Sequence, residues 1–478
     1  MRRGLAVGAL LLVAASAAAV VALSERAREE RYYRELLAGG EEALGAGNSF
    51  AAVEAFSGAV ALRPDAMPGY YRRAEAYRSQ RQFEKAAADL RAAMRLAPDA
   101  PQPRIALGDL YDAEGDHGQA AGWYQSAADR LKDKDPALLY RLASASYQAG
   151  LPAAAIAPLR LALSRNESFP EAQYLLGLAY RDTQQPDAAI AALEQAIRMA
   201  PLLTPAREEL ADLYRETGRG DAELAQLQAL AARDPDARRR IAVALAEARQ
   251  GREDRALAAL AQEAEVPGRS SVHLALGRVY LGIAERSGAR DAIQRSLAYL
   301  EQALGGTARR SEGLALFGRA LHVSGDARQA ERILHEAIAT SPVYPAAFEY
   351  LADVAEELSH PAAARDALLR LDALEGNTAR SARRTARARR LGLLSLRAGD
   401  PHGAVAFLQQ AVSAGLIGAD TLGPLARARW AAGDQAGAEE AVDRALAADP
   451  ASVELQRLAR AIKARAGPGD PAARLPRS

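Results

Sequence analysis

Small and apolar residues recur beyond residue 30 at spacings of one, three and four, which places them on one face of a helix. Leu107, Gly108 and Tyr111 form one such set, and residues 120–127 carry a second set shortly afterwards. Both sets return along the chain, as Leu176-Gly177-x-x-Tyr180 with Ala189-x-x-x-Leu193-x-x-Ala196, and as Phe317-Gly318-x-x-Leu321 with Ala330-x-x-x-Leu334-x-x-Ala337. The pattern predicts a repeated unit of two amphipathic helices.

The repeated units follow one another at nearly constant length. They begin at residues 33, 67, 101, 136, 170, 204, 237, 270, 311, 345, 385 and 419, in steps of 33–35 residues except for 41 after residue 270 and 40 after residue 345. The two longer steps predict lengthened helices near residues 281–292 and 372–384. One such unit cannot bury its apolar face alone, so the units are expected to stack into one continuous core.

Glycine and proline mark the ends of the predicted helices. Between the two helices of a unit, glycine can take the left-handed conformation and a following aspartate can cap the second helix. Gly-Asp pairs occupy this place at Gly115, Gly325, Gly399 and Gly433. Proline at the seventeenth position suits the first turn of the second helix, as at Pro152, Pro186, Pro361 and Pro401. Proline at the thirty-second position ends that helix, as at Pro64, Pro98, Pro201, Pro235, Pro342 and Pro450.

These motifs resemble the tetratricopeptide repeat, a 34-residue pattern with Leu-Gly-x-x-Tyr in its first helix and Ala-x-x-x-Phe-x-x-Ala, then Pro, in its second. The resemblance covers residues 33–452 and is most specific in the units starting at 67, 101, 170, 204 and 311. It implies an all-α fold, a right-handed α-solenoid (superhelix) of about twelve helix-turn-helix units. It also implies a concave groove, lined by the first helix of each unit, that binds a protein or peptide.

The N-terminal segment differs from the repeats. Residues 1–4 form a short basic tail, and residues 5–23 contain no charge, so a helix there would span roughly 28 Å, close to the thickness of a bilayer core. We expect a transmembrane signal anchor; a cleaved signal peptide and a helix outside the membrane are the alternatives. Arg2 and Arg3 favour a cytoplasmic N-terminus and an extracytoplasmic (periplasmic) array, although further arginines follow residue 23. Cleavage would leave a secreted or periplasmic protein.

Composition and periodicity place the remaining boundaries. We predict a linker at 24–32, the repeat array at 33–452, a capping helix at 453–466 and a disordered tail at 467–478. In the capping helix, Leu455, Leu458 and Ile462 share the face expected to point inward. The tail is rich in proline and glycine and has few apolar residues to bury.

Charge and cysteine content exclude several classes of protein. The chain of 478 residues has 61 basic and 60 acidic residues, a net charge of +1, which argues against a nucleic-acid partner. It contains no cysteine, which excludes disulfides, thiolate metal sites and cysteine nucleophiles. Only four of the basic residues are lysines, and we interpret the excess of arginine as a compositional bias of the coding sequence.

No sequence motif indicates catalysis. A phosphate-binding glycine loop and a dinucleotide-binding motif are both missing, and His335-Glu336 lacks the second histidine of a zinc-protease motif. The six histidines are scattered, and Arg219-Gly220-Asp221, which spells a cell-adhesion tripeptide, is interpreted as a chance match. We therefore predict a non-catalytic protein with no cofactor and no metal site. An enzyme whose site forms only on folding stays open as an alternative.

An aromatic ladder is the first candidate binding site. In the family that the repeats resemble, positions 2, 5, 9, 12 and 13 of the first helix face the ligand. Position 5 carries Tyr71, Ile105, Tyr140 and Tyr174 in four consecutive units, and Tyr147 lies at position 12. Tyrosine combines a large contact area with a polar tip, so these residues can anchor a partner; the alternative is that they pack between units. The family's clamp for C-terminal carboxylates, lysine at position 5 with asparagine at position 9, is absent, so a chaperone-tail adaptor is not expected.

An arginine-rich segment is the second candidate. Residues 380–390 hold six arginines and no acid. The candidate patch for an anionic partner consists of Arg380, Arg383, Arg384, Arg387, Arg389 and Arg397. The alternative is a solvated helix whose arginines pair with the acidic unit before it, which carries Glu349, Asp353, Glu356 and Glu357.

The sequence therefore predicts a scaffold or assembly factor for protein–protein interaction, anchored at a bacterial cell-envelope membrane. One alternative is a scaffold component of an exported polysaccharide-secretion or envelope-biogenesis system that binds an anionic polymer. Another is a cytoplasm-facing regulatory adaptor, resembling the membrane-anchored repeat proteins that control lipopolysaccharide synthesis. Those proteins carry a cysteine-rich metal module, and this chain has no cysteine.

Overall fold

The computed structural model describes residues 2–132, 134–264, 270–306, 309–376 and 381–464. For residues 2–20, 22, 381 and 382 it describes the helical backbone but not the side chains. In these ranges the chain forms 25 helices and no strand. The predicted all-α class is confirmed.

The chain divides into two compact units, unit 1 (Met1–Arg219) and unit 2 (Gly220–Ser478). The helices of unit 1 are α1 (Arg2–Gly45), α2 (Ser49–Leu62), α3 (Met67–Ser79), α4 (Phe83–Leu96), α5 (Gln102–Glu114), α6 (His117–Leu131), α7 (Pro136–Gln148), α8 (Pro152–Arg165), α9 (Pro170–Asp182), α10 (Pro186–Met199) and α11 (Thr204–Glu216). Those of unit 2 are α12 (Gly220–Arg233), α13 (Ala237–Arg249), α14 (Glu253–Ala264), α15 (Ser270–Ser287), α16 (Arg290–Leu304), α17 (Arg310–Val323), α18 (Ala327–Ala339), α19 (Ala346–Glu357), α20 (Pro361–Glu375), α21 (Ser381–Arg397), α22 (Pro401–Ser413), α23 (Ala419–Ala431), α24 (Gln435–Ala448) and α25 (Val453–Lys463).

Within each unit, every helix packs against the next helix in sequence. The first helix of a repeat begins within one residue of the predicted start in the repeats placed at 67, 101, 136, 170, 204, 237, 270, 311, 345 and 419. The repeat predicted to start at residue 385 begins earlier, because α21 starts at Ser381. Residue 33, the predicted start of the first repeat, lies inside the continuous helix α1. The two longer steps do lengthen helices: α15 has 18 residues, and α20 and α21 have 15 and 17.

The turn between the two helices of a repeat has the predicted geometry. Gly115 ends α5 with a φ of 82°, in the left-handed region that glycine adopts without a steric penalty. The side chain of Asp116 then accepts a hydrogen bond from the backbone N–H of Gln119 at 3.0 Å. Asp326, Asp400 and Asp434 cap their helices in the same way. Proline is the first residue of α8, α10, α20 and α22, as its position predicted.

The core lies between the helices of successive repeats and consists mainly of alanine and leucine. Inside a repeat, a glycine of the first helix lets the second helix approach closely. A Cβ atom on Gly177 would lie only 2.7 Å from Cγ of Leu193, which is fully buried. Gly108, Gly277, Gly318 and Gly392 meet the second helix of their repeats in the same way. The Leu-Gly motif therefore encodes the helix-to-helix distance.

At the N-terminus, α1 continues without a break from Arg2 into the first repeat. Residues 24–32, which were predicted to form a linker, are part of this helix. The predicted anchor at 5–23 lies outside the residues with described side chains, except for Val21 and Leu23. Among the residues that were described and tested, no helix has the length and apolar character needed to cross a membrane.

At the C-terminus, α25 closes the last repeat. Leu455, Leu458 and Ile462 are buried, and the basic residues Arg457 and Arg460 are exposed, as the pattern predicted. The helix ends at Lys463, three residues before the predicted boundary. Residues 465–478, which include the predicted disordered tail, lie outside the described residues.

Candidate partner-binding surfaces

The predicted aromatic ladder lies on the first helices of unit 1. Tyr71 is on α3, Ile105 on α5, Tyr140 and Tyr147 on α7, and Tyr174 on α9, and all five side chains are half-buried. We call the partly exposed side chains of α3, α5, α7, α9 and α11 the first-helix surface. Each residue is thus partly covered and still presents an accessible portion. Binding of a partner at these residues stays a prediction.

The buried portions of Tyr71, Ile105, Tyr140 and Tyr147 contact the repeat core. Tyr140 packs against Phe169, with ring centroids 5.0 Å apart and planes tilted by 44°. Ile105 and Tyr71 join separate apolar clusters around the neighbouring helices. Phe169, which immediately precedes α9, was missed by the sequence analysis because it lies outside the periodic positions. The contact with Phe169 orients the ring of Tyr140.

A carboxylate of the next first helix binds the hydroxyl of Tyr147, and further carboxylates join the neighbouring first helices. The hydroxyl of Tyr147 donates a hydrogen bond to Oδ2 of Asp182 on α9 at 2.6 Å. One repeat earlier, Asp109 accepts hydrogen bonds from Tyr124 at 2.7 Å and from Arg141 at 3.0 Å. Arg181 similarly connects α9 to Glu209 on α11. The first helices α5, α7, α9 and α11 are thus joined by side-chain bonds along one continuous surface.

Burial and nearby carboxylates shift the ionisation of these tyrosines. Burial, followed by the hydrogen bond to Asp182, raises the pKa of Tyr147 to about 12. Burial also raises the pKa of Tyr71, Tyr140 and Tyr174, and carboxylates add to the effect at each. The neutral hydroxyl is therefore the form that the folded surface holds.

We expect Tyr147→Phe to reduce the loss of stability of the chain in alkali. The folded chain binds the Tyr147 proton more tightly than the unfolded chain, whose tyrosine has its ordinary pKa of 10.0. Its contribution is therefore complete below pH 10 and is lost as the pH rises towards 12. Urea midpoints measured at intervals across this range should fall less steeply for the variant. An unchanged slope would show that Tyr147 does not titrate in this way.

The arginine-rich segment differs from the predicted patch. Arg380 lies outside the described residues. Arg383 is exposed, whereas Arg384 donates a hydrogen bond to the backbone carbonyl of Gly376. Arg387 is buried, and its guanidinium lies 2.6 Å from Glu375, 3.2 Å from Asp372 and 3.8 Å from Glu349. The prediction that Arg387 belongs to a patch for an anionic partner is therefore wrong, because its buried guanidinium is the common partner of three carboxylates.

The remaining arginines of this segment pair with carboxylates of neighbouring first helices. Arg389 lies 2.7 Å from Asp420, and Arg397 lies 3.2 Å from Glu356. Arg390, which was not in the predicted set, contacts both Asp353 and Glu356, at 2.7 and 2.6 Å. The predicted pairing of these arginines with the acidic repeat that starts at residue 345 is thus present. Binding of an anionic partner here stays a prediction, and such a partner would have to compete with these carboxylates.

Ion pairs between residues about one repeat apart recur along both units. In unit 1 they include Arg72–Glu41, Arg130–Asp99, Arg141–Asp109 and Arg219–Asp187. In unit 2 they include Arg252–Asp221, Arg286–Glu253, Arg319–Glu285 and Arg365–Asp400. Many of the arginines therefore connect neighbouring repeats, a role that a single repeat cannot reveal.

Among the described residues, no group of three or more histidine, aspartate or glutamate side chains could hold a metal ion. Three histidines instead pair with single carboxylates, in the contacts His117–Asp112, His322–Glu357 and His360–Glu331.

Comparison with known families identifies the repeat. The model of the family described as "Tetratricopeptide repeat" matches residues 37–101, 71–136, 174–238 and 316–378. Over these residues the chain matches the tetratricopeptide repeat, and the predicted resemblance is confirmed to that extent. Repeats of this kind typically mediate protein–protein interaction, and the fold is generally non-catalytic.

Several solved structures are similar in fold. YrrB, a repeat protein described as having an unusual peptide-binding site, shares 20% identity over 39% of this chain and 96% of its own, with a TM-score of 0.36. Pseudomonas aeruginosa PilF shares 14% over 44% and 96%, with a TM-score of 0.36. The Naa15/Naa10 complex bound to HypK shares 17% over 92% of this chain and 66% of its own, with a TM-score of 0.40. No curated protein matches the sequence.

Proposed function

We propose that this chain is a non-catalytic scaffold that holds a protein or peptide partner on the first-helix surface of unit 1. The observation that carries the proposal is the set of half-buried tyrosines on consecutive first helices. The rings of Tyr71, Tyr140 and Tyr147 pack against the core, and the hydroxyl of Tyr147 is bonded to Asp182. Side chains that are already ordered lose little entropy when a partner binds, so such a surface is suited to docking.

We further propose that residues 5–23 anchor the scaffold in a bacterial cell-envelope membrane, with the array on the extracytoplasmic side. The support is the uncharged segment of 19 residues after a basic tail. Deleting residues 2–23 should move the chain from the membrane fraction to the soluble fraction. A reporter enzyme that is active only outside the cytoplasm, fused after residue 464, should be active. An inactive reporter would favour the cytoplasm-facing adaptor instead.

Replacing both Tyr140 and Tyr174 with alanine should strongly reduce the amount of partner captured and lower the melting temperature only slightly. Both rings contribute contact area to the first-helix surface, and an aromatic anchor of this kind commonly contributes about 2 kcal/mol to binding. Capture would be measured in the native host with a photo-crosslinking residue at Gln148, which is exposed on α7. Crosslinked protein should fall at least tenfold in the double variant.

Leu163→Ala provides the matched control for this experiment. Leu163 packs in the same apolar cluster as Tyr140 but lies on α8, outside the first-helix surface. It should lower the melting temperature and leave capture intact. If the tyrosine variant lowers the melting temperature and capture is unchanged, the ladder serves packing alone and the proposal is wrong.

An anionic polymer as partner has less support. That function needs arginines available for an external anion, and Arg387, Arg389 and Arg397 are each already paired with carboxylates. The polysaccharide-secretion alternative would be favoured only if Arg383 and Arg397 proved necessary for binding of a purified anionic polysaccharide.

A further inference from the structure

We infer that one edge of unit 1 lies on the membrane surface and binds anionic lipid headgroups. We call it the anchor-side edge, and it consists of the turns at 63–66 and 97–101 and of Lys132 and Lys134 at the end of α6. This inference rests on the proposed membrane anchor at residues 5–23 and names the surface that the anchor brings to the bilayer. It follows from the continuity of α1, from the packing of the repeats and from the distribution of charge.

The helix α1 leads from the proposed anchor directly into the first repeat. It continues without interruption to Gly45, so the first repeat cannot swing freely about the anchor. The guanidinium of Arg63, which follows α2, lies 3.1 Å from the carboxylate of Glu30 on α1. Glu30 is seven residues beyond the uncharged segment, a rise of roughly 10 Å. The anchor-side edge is therefore held about one Debye length from the headgroups, where their charge still acts.

The parts of this edge lie side by side because successive helices run antiparallel. Each helix packs against the next through a short turn, so the turns alternate between two edges of the array. A Cβ atom on Gly69, at the start of α3, would lie 3.1 Å from Cγ2 of Val60, near the end of α2. Asp99, in the turn after α4, lies 2.8 Å from Arg130 near the end of α6. The opposite edge, which includes the turn at Gly115, lies a helix length of roughly 20 Å away.

The carboxylates of the anchor-side edge are mostly engaged within the chain, whereas several of its cations are not. Asp65 lies 3.2 Å from Arg63, Asp99 pairs with Arg130, and Asp135 caps the start of α7. Three exposed basic side chains pair with no carboxylate in the part of the chain that the structure describes, namely Arg95, Lys132 and Lys134. These three cations can therefore bind an external anion without breaking an internal ion pair.

The anchor-side edge is also the more positive of the two edges. Its helix ends and turns hold six arginine or lysine residues and five acidic residues, within 59–70, 93–105 and 128–139. The opposite edge holds three and five, within 42–52, 76–86 and 111–120. The stretch of α1 next to the anchor, residues 24–35, is balanced, with four arginines and four glutamates. The attraction for anionic headgroups therefore comes from the turns between repeats.

Fluorescence quenching at the two ends of one helix measures which edge meets the bilayer. The chain has no cysteine, so Gln102→Cys at the start of α5 or Ala113→Cys near its end can carry a single fluorophore at an exposed position. The full chain would be reconstituted into vesicles with headgroup-quencher lipids, made of phosphatidylcholine alone or with phosphatidylglycerol. Quenching should be stronger at residue 102 than at residue 113, should increase with phosphatidylglycerol and should fall with added salt.

Arg95→Gln combined with Lys134→Gln should lower the ratio of bound to unbound edge by about tenfold in the anionic vesicles, because each basic residue near such a surface contributes to binding. Arg78→Gln combined with Lys85→Gln is the matched control, since it removes one arginine and one lysine from exposed positions at the opposite edge. This control should leave the quenching at residue 102 unchanged. An equal loss in both double variants would show non-specific attraction and overturn the inference.

Flotation of the vesicles separates a failure of this inference from a failure of the anchor. If the chain floats with the vesicles and quenching is equal at residues 102 and 113, the anchor holds and the inferred edge is wrong. Quenching at residue 102 that responds neither to phosphatidylglycerol nor to the double variant would overturn the binding of anionic headgroups. If the chain does not float with neutral vesicles, the anchor and the inference both fail.

Discussion

Replacing Gly177 with alanine is expected to destabilise unit 1 by about 2 kcal/mol, although alanine is the better helix former. The new methyl group would lie 2.7 Å from Cγ and 2.8 Å from Cδ2 of Leu193. Leu193 is fully buried and cannot move away without disturbing its neighbours. Urea denaturation of the full chain, followed by circular dichroism, should show an earlier transition.

Gly122→Ala is the matched control for this substitution. Gly122 lies on α6, and a Cβ atom there would meet no other atom within 4 Å. The control should therefore stabilise the chain by about 0.5–1 kcal/mol, because alanine loses less backbone entropy on folding than glycine does. If Gly177→Ala also stabilises the chain, helix propensity rather than helix-to-helix distance governs Gly177.

A second substitution isolates the contact itself. Leu193→Ala alone should cost about 2–5 kcal/mol, because it leaves a cavity. In the double variant with Gly177→Ala, the new methyl group can enter that cavity. The double variant should therefore be more stable than the sum of the two single effects indicates.

Arg387→Met is expected to destabilise unit 2 by about 2–3 kcal/mol. The guanidinium is buried and lies between Glu349, Asp372 and Glu375, so its removal leaves three carboxylates without their common cation. Breaking a buried ion pair costs about 3–5 kcal/mol, and the estimate is lower here because these carboxylates are partly exposed. Methionine keeps most of the apolar stem, so the substitution tests mainly the charge.

Arg383→Met is the control, on the same helix but exposed, and it should change the stability by less than about 0.5 kcal/mol. Thermal melts of both variants provide the measurement. If Arg383→Met lowers the melting temperature as much as Arg387→Met does, the buried ion pairs do not account for the loss.

The sequence by itself determined the features that depend on local backbone geometry and on side-chain spacing. The turn at Gly115-Asp116 needs only a left-handed residue and a capping side chain, so the residue types predict it. Pro152 at the start of α8 and the Leu-Gly step at Gly177 are local in the same sense. The repeat of these signals along the chain was sufficient to place the starts of most first helices within one residue.

Only the tertiary structure decided which partners the arginine and tyrosine side chains contact, because many of those partners lie in a neighbouring repeat. Arg383 and Arg387 are alike in sequence, yet one is exposed and the other is buried among three carboxylates. The sequence likewise indicated Tyr140 and Tyr147 as binding or packing residues, and the contacts with Phe169 and Asp182 show that each is held in place by a neighbouring repeat. The burial of Arg387 and the contacts of Tyr140 and Tyr147 arise when helices of different repeats pack together, so residue spacing within one repeat does not distinguish them from exposed side chains.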